Sequence, residues 1–221
     1  MIQHQPAPTV ALLCLLALLG GCETTSTAPA DSRLTGSWQL DRSASDDPDA
    51  IIAKAVGQAE ARFRRRLVRY GVGGPDSGGA GNQPPPDGPD YSLDTPGDRF
   101  GGMGMVGPDF RGMRARLHNA LLPAGSLRLD VDDDTVSIGA DQLPPREYHL
   151  GEKLSRIDEY GTAIIRPEFQ HQQFVLRSSY TSHAQRVDTY DVDSSGALTV
   201  VEQINDPGVG RLVVRSVYRR S

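Results

Sequence analysis

The chain has few cysteines, few lysines and no long apolar segment. Of its 221 residues only two are cysteines, Cys14 and Cys22, so at most one disulfide could form. The only lysines are Lys54 and Lys153. The formal net charge of −5 argues against a nucleic-acid partner, because a protein that binds nucleic acid requires a basic face. The longest apolar run, Val10 to Leu19, has ten residues, about half of the roughly 20 that a membrane-spanning helix needs.

The apolar run is followed by Leu19-Gly20-Gly21-Cys22. A short apolar segment followed by small residues is typical of a secretory signal peptide. Leu-x-small-Cys at the end of such a segment resembles the lipobox of bacterial lipoproteins. The resemblance implies that residues 1–21 are a lipoprotein signal peptide and that Cys22 is the lipid attachment site. An ordinary signal peptide with an incidental cysteine is the alternative, because small residues suffice for its cleavage.

The lipobox also implies where the protein is located. In the lipoprotein family an Asp directly after the cysteine favours retention in the inner membrane, and this chain has Glu23 at that position. The resemblance therefore implies a lipid-anchored protein of the bacterial cell envelope, at the outer membrane and facing the periplasm. Cys14 lies in the segment predicted to be removed, so the mature chain keeps one cysteine and we expect no disulfide.

The remaining sequence is predicted to be a tether followed by one domain. Residues 22–33 are rich in Ser, Thr and Pro, and we expect them to form a flexible tether because they offer little apolar surface to bury. Residues 34–221 are long enough for a single β domain with one core. A helical and disordered insertion is expected at about 42–125, after a first strand at 34–41.

Two helices and a Gly/Pro-rich segment are predicted within the insertion. Apolar residues recur at helical spacing over about 48–69 and 108–122, and Pro48 and nearby acidic residues are typical of a helix N-terminus. Between them, residues 71–107 contain many Gly, Pro and Asp residues and few aliphatic ones. Such a composition is typical of a disordered segment or a long loop.

From Ser126 onward the apolar pattern has a period of two, which is typical of strands with one buried face. The segments follow one another about every ten residues, are separated by turn residues, and have no crossover helices between them. This pattern predicts a mainly β domain in which an antiparallel meander forms a small barrel or sandwich. The predicted strands lie near residues 127–131, 136–138, 148–150, 154–157, 163–165, 174–180, 187–192, 198–204 and 212–218.

Gly36-Ser37-Trp38 in the first strand, with the meander behind it, resembles the start of lipocalin-like (calycin) β-barrels. In that family a basic residue near the last strand packs over the tryptophan and helps to close one end of the barrel. The resemblance implies this role for Trp38 with Arg215 or Arg219. A guanidinium over an indole face is a favourable cation–π contact.

Asp191 to Glu202 matches the calcium-binding loop of EF-hands at all twelve positions. The flanking residues, however, are typical of strands, whereas the motif requires a helix on each side. We therefore interpret Asp193-Ser194-Ser195-Gly196 as the turn of a β-hairpin. The spacing of His149, His171 and His183 does not require a metal site.

The sequence shows no convincing catalytic set, so we predict no catalytic residue, cofactor or metal. The favoured hypothesis is a non-catalytic envelope lipoprotein that binds a small apolar or amphipathic ligand in a barrel or acts as an interaction module. One alternative is an envelope hydrolase or isomerase whose active site is assembled only by folding. Another is a structural or assembly-helper lipoprotein. Protein partners are not predicted.

Overall fold

The structure is a computed structural model that describes residues 24–25, 27–29, 32–69 and 107–221. The predicted signal peptide at 1–21 and the predicted lipid attachment site Cys22 lie outside the described residues. Of the Gly/Pro-rich segment predicted at 71–107, only Gly107 is described.

The described residues form eleven strands and two helices. In chain order they are β1 Thr24–Thr25, β2 Gly36–Leu40, α1 Pro48–Arg69, α2 Phe110–Leu121, β3 Ser126–Val131, β4 Thr135–Ala140, β5 Arg146–His149, β6 Leu154–Asp158, β7 Gly161–Gln170, β8 Gln173–Tyr180, β9 Gln185–Val192, β10 Leu198–Asp206 and β11 Gly210–Arg220.

Within this described part, the ten strands β2 to β11 form a nearly closed antiparallel barrel. The hydrogen-bonded order is β7-β8-β9-β10-β11-β2-β3-β4-β5, and β6 pairs with the outer edge of β7. Strand β2 therefore joins the last strand, β11, to β3. The predicted mainly β fold with two helices is confirmed, and its form is a barrel.

Alternating side chains along most of the strands build the core inside the barrel. Along β7, for example, Ala163, Ile165 and Phe169 are buried, whereas Ile164 and Arg166 point outward. This is the arrangement expected when successive side chains lie on opposite faces of a strand. The period-two pattern in the sequence thus corresponds to an inner and an outer barrel surface.

The hairpin between β9 and β10 is the turn predicted at Asp193–Gly196. The Asp193 carboxylate accepts hydrogen bonds from the backbone N–H of Ser195 at 2.8 Å, from its hydroxyl at 2.6 Å and from the N–H of Ala197 at 3.1 Å. Gly196 has φ 81°, a conformation that favours glycine. The Asp193 carboxylate thus accepts hydrogen bonds from within the turn that connects β9 to β10, and the interpretation of this segment as a hairpin is confirmed.

The two helices pack against one end of the barrel. Asp47 caps α1 by accepting from the N–H of Asp49 at 3.0 Å, and Asp109 caps α2 by accepting from the N–H of Gly112 at 2.8 Å. Helix α2 buries one face, and its Met113 packs beside Gly208 in the β10–β11 turn. Neither helix is long and apolar enough to cross a membrane, within the part of the chain that the structure describes.

The barrel has a seam between β5 and β6, for which no pairing is found among the described residues. At one end of this seam, β1 pairs with Phe169 and Gln170 of β7. Further along, the N–H of Ala28 donates to the carbonyl of Asp133 in the β3–β4 turn at 2.9 Å. Thr24 and Thr25 thus contact one side of the seam, and Ala28 contacts the other.

Strand β1 lies in the segment 22–33 that we expected to be a flexible tether, so part of that segment is fixed to the barrel instead. The physical reason is that strand pairing uses backbone N–H and C=O groups and needs no apolar side chains. Such a strand therefore cannot be predicted from an alternation of apolar residues in the sequence.

Candidate functional site

A cavity of about 470 Å³ lies inside the barrel, between the strands and the C-terminal end of α2. Its opening is bordered by α2, the β4–β5 loop and the β6–β7 turn, where Leu122, Leu143 and Glu159 are exposed. Deeper inside, the wall combines apolar side chains with tyrosines and charged groups. The apolar lining residues on the strands are Leu127, Ile138, Ala140, Ile165, Leu176 and Val200.

Three charged side chains meet in this cavity: Arg186, Asp188 and Glu202. Asp188 and Glu202 are directly opposite each other on β9 and β10, so their side chains point to the same face of the sheet. Arg186 lies two residues before Asp188 on β9 and therefore shares that face. The strand register alone brings one cation and two carboxylates together.

Arg186 makes an extensive set of hydrogen bonds. Its Nε donates to both carboxylate oxygens of Asp188 at 2.8 and 2.9 Å, and its Nη2 donates to Oε1 of Glu202 at 2.5 Å. Its Nη1 donates to the carbonyl of Ala120 near the end of α2 at 2.8 Å. Arg186 therefore connects the inside of the barrel to the helix that borders the opening.

Burial shifts the protonation of this cluster. The side chains of Arg186, Asp188 and Glu202 are only 20%, 9% and 14% exposed. Burial raises the pKa of Glu202 to about 7, with the charge of Arg186 opposing the shift and that of Asp188 adding to it. Burial by itself would lower the pKa of Arg186, but the two carboxylates raise it above its ordinary value. Arg186 therefore stays charged, and Glu202 is the group that titrates near neutral pH.

Tyrosines surround the charged cluster. The hydroxyl of Tyr180 donates to Asp158 at 2.8 Å, and that of Tyr218 donates to the carbonyl of Ala124 at 3.1 Å. Burial raises the pKa of Tyr180, and the hydrogen bond to Asp158 adds to that shift. Burial likewise raises the pKa of Tyr190, with the charges of Asp188 and Glu202 contributing. These tyrosines are neutral at ordinary pH and offer hydroxyl groups to the cavity.

Some hydroxyls that line the cavity have no partner among the described residues. They belong to Ser178, Tyr148 and Tyr190. Ser178 is 6% exposed and lies opposite Arg186 in the pairing of β8 with β9. Because buried polar groups are nearly always hydrogen-bonded, these hydroxyls are available to water or to a ligand in the cavity.

Trp38 lies at the opposite end of the barrel, where it is fully buried and donates from Nε1 to the carbonyl of Leu34 at 3.0 Å. The cation over its ring is Arg220, with Cζ 4.8 Å from the ring centroid. We expected Arg215 or Arg219 there, and the structure corrects this expectation. Arg220 is the residue paired with Trp38 across β11 and β2, whereas odd-numbered residues of β11 lie on the other face.

Arg215 and Arg219 instead bind to the segment that follows β2. The backbone N–H of Arg215 donates to Asp46 at 2.8 Å, and its side chain donates to the carbonyl of Ala44 at 3.3 Å. Arg219 donates to Asp41 at 3.2 Å. Both arginines therefore fasten the connection to α1 on the outside of the barrel.

The sequence reasoning missed the charged cluster in the cavity. The calcium-loop pattern includes Glu202 only as its last position, and Arg186 and Asp188 belong to no recognised motif. A signal was nevertheless present, because Glu202 has the same parity as the apolar residues Val200 and Ile204 on β10. Charged residues on an otherwise apolar strand face indicate a polar group inside the barrel. Among the described residues, no group of three or more His, Cys, Asp or Glu is placed to hold a metal ion.

No protein-family model matches the chain, and no curated protein matches it significantly. Among solved structures, a mutant of the "REP1-NXSQ fatty acid transporter" matches this chain. The two chains are 14% identical, with a TM-score of 0.43, and the match covers 85% of this chain and 98% of the other.

Proposed function

We propose that this protein is a lipid-anchored envelope lipoprotein whose barrel binds a small amphipathic ligand. The observation that carries the proposal is the cavity of about 470 Å³ inside the barrel. Binding pockets for small molecules have volumes of about 300–1,000 Å³ and combine apolar walls with a few polar groups. Protein interiors without such a function are close-packed and contain few voids larger than a water molecule.

The composition of the wall supports an amphipathic ligand over a purely apolar one. Side chains such as Ile165, Leu176 and Val200 offer apolar contacts. Unpartnered hydroxyls, including that of Ser178, and the charged cluster offer hydrogen bonds deeper inside. A ligand without polar groups would leave these unsatisfied, which costs about 1–3 kcal/mol for each buried group.

Anchoring is supported by the sequence alone. Leu19 to Cys22 follows a ten-residue apolar run, and the lipoproteins that it resembles carry several acyl chains on this cysteine. Two or more acyl chains hold a protein stably at a membrane because each buried methylene contributes about 0.8 kcal/mol. We propose the outer membrane, on its periplasmic side, as the location.

An isomerase or hydrolase is the second candidate function, and Glu202 is the observation that favours it. A carboxyl group whose pKa is raised to about 7 inside a cavity is suited to accept and donate protons at neutral pH. Binding and catalysis differ in the fate of the ligand, which is released unchanged in the first case and chemically altered in the second.

The binding proposal is tested with the full-length chain carrying Cys22→Ser, so that no attached acyl chain competes for the cavity. The assay is the fluorescence of N-phenyl-1-naphthylamine, a neutral dye that brightens in apolar pockets, together with native mass spectrometry of co-purifying compounds. Ala140→Trp places a large side chain in the cavity, and Val213→Trp is the control on the outer face of β11.

We expect the dye to bind to the parent chain and to Val213→Trp, and to bind at least about tenfold more weakly to Ala140→Trp, a loss of about 1.4 kcal/mol. Circular dichroism verifies that each variant is folded. Equal dye binding by the two tryptophan variants would contradict a binding site inside the barrel.

A further inference from the structure

The charged cluster inside the cavity contains two carboxylates and a single guanidinium. Arg186 contributes one positive charge, and Asp188 and Glu202 contribute two negative charges when both are ionised. Oε1 of Glu202 accepts from Arg186, but no described residue donates to Oε2. When Glu202 is ionised, this cluster therefore carries one more negative than positive charge, and it has a carboxylate oxygen without a donor among the described residues.

A second observation, independent of the carboxylates, also indicates a polar ligand group at this point. Ser178 is more than nine-tenths buried, lines the cavity and has a hydroxyl without a partner among the described residues. Its position opposite Arg186 in the β8–β9 pairing places it beside the charged cluster. Tyr190, two residues beyond Asp188 on β9, adds another hydroxyl on the same face.

We propose that the barrel selects amphipathic ligands that carry a cationic amine, and that the amine binds at Glu202 beside Ser178 and Asp188. The proposal rests on the ligand-binding function above and specifies its ligand class. An ammonium group has donors and no acceptors, so it supplies what the cluster lacks. Its positive charge compensates the excess carboxylate, while the alkyl part of the ligand contacts the apolar wall.

The same cluster disfavours an anionic ligand. The charge of Arg186 is already paired with the carboxylates of Asp188 and Glu202, and its Nη1 donates to the carbonyl of Ala120. A ligand carboxylate at this point would meet two like charges in a poorly solvated space, where electrostatic interactions are stronger than in water. A neutral alcohol with the same alkyl chain can donate one hydrogen bond to the cluster. We expect its affinity to lie between those of the amine and the carboxylate.

Binding of an amine also depends on the ionisation of Glu202. The groups facing it are Arg186, Asp188 and Tyr190 from β9 and Tyr218 from β11. Arg186 stays charged and the two tyrosines stay neutral between pH 6 and 8, because the pKa of each is raised above its ordinary value, whereas Glu202, with a pKa of about 7, titrates in this range. Because an amine prefers the ionised carboxylate, its affinity rises as the pH increases through this range.

The experiment compares decylamine, decanol and decanoate as competitors of N-phenyl-1-naphthylamine on the full-length Cys22→Ser chain at pH 7.5. We expect decylamine to compete at least about tenfold more tightly than decanol, a difference of about 1.4 kcal/mol, and decanoate to compete most weakly. Glu202→Gln is expected to remove the preference for the amine and to keep the affinity for decanol. Glu168→Gln is the matched control, since Glu168 pairs with Arg177 away from the cavity.

Equal affinities for decylamine and decanol, or a preference that survives Glu202→Gln, would overturn the amine proposal and leave ligand binding intact. Failure of all three competitors to displace a dye that does bind also overturns it. Absence of dye binding contradicts the binding function itself. If Glu202→Gln does not fold, the test is the affinity of the parent chain for decylamine between pH 6 and 8. An affinity that does not change over this range contradicts the proposal.

Discussion

Glu202 provides a quantitative test of the buried cluster through Glu202→Gln. The substitution keeps the size of the side chain and an oxygen acceptor for Arg186, and it removes the titration. The pKa of Glu202 changes from its ordinary value of 4.5 to about 7 in the folded protein. Because one pKa unit corresponds to about 1.4 kcal/mol, keeping this group ionised costs the folded state about 3 kcal/mol.

The sign of the effect follows from where the proton is bound. Between pH 4.5 and about 7 the folded protein keeps the proton on Glu202, whereas the unfolded chain loses it. Folding stability therefore has a contribution from Glu202 that is present at low pH and disappears as the pH rises through this window. Above about pH 7 both states are ionised, and the contribution no longer changes.

The assay is urea unfolding at pH 5, 6, 7 and 8, with free energies of unfolding from linear extrapolation. Titrating groups away from the charged cluster affect the parent and the variant equally, so the quantity of interest is the difference in the free energy of unfolding between the two proteins. We expect the free energy of unfolding of Glu202→Gln, relative to that of the parent, to increase by between about 2 and 3 kcal/mol from pH 5 to pH 8. A difference that stays constant with pH would refute the assignment of a protonated, buried Glu202.

Two further predictions concern the two ends of the chain. Arg220→Ala removes the cation over Trp38 and the hydrogen bond to the carbonyl of Arg33, and we expect urea unfolding to show a loss of about 1 kcal/mol. Arg219→Ala, which breaks an ion pair with Asp41 in which the arginine is 61% exposed, should cost less, and equal losses would contradict the role given to Arg220. Cys22→Ser should move the protein from the membrane pellet to the soluble fraction of a bacterial lysate, because it removes the proposed lipid attachment site. Cys14→Ser is the control and should stay in the pellet, and pelleting of both variants would contradict lipid attachment at Cys22.

The strands were predictable from the sequence because each buries one face. The alternation of buried and less buried residues along β7 and much of β11 reflects which side chains face the core. The β9–β10 turn was predicted as well, and its length fixes the register of the two strands. The pairing of Asp188 with Glu202 therefore follows from the predicted turn.

Other features of the fold could not be predicted from local sequence patterns. The contact of Arg220 with Trp38 depends on the register of β11 against β2, which are far apart in the chain and are not joined by a turn. The pairing of β1 with β7 uses backbone groups, and the position of α2 over the barrel depends on long-range contacts such as Arg186 with Ala120. Each of these depends on how the closed barrel brings distant segments together.

Strand β1 has a consequence for how an anchored protein would be oriented. Its first residue, Thr24, pairs with Gln170 at the far end of β7, and Cys22 precedes it by a distance of at most about 7 Å along the chain. A lipid on Cys22 would therefore hold that end of the barrel close to the bilayer surface. The cavity opens beside the other end of β7, near Glu159, and a ten-residue strand is about 30 Å long. We expect the opening to face away from the membrane, so that ligands are exchanged with the aqueous compartment instead of being extracted from the bilayer.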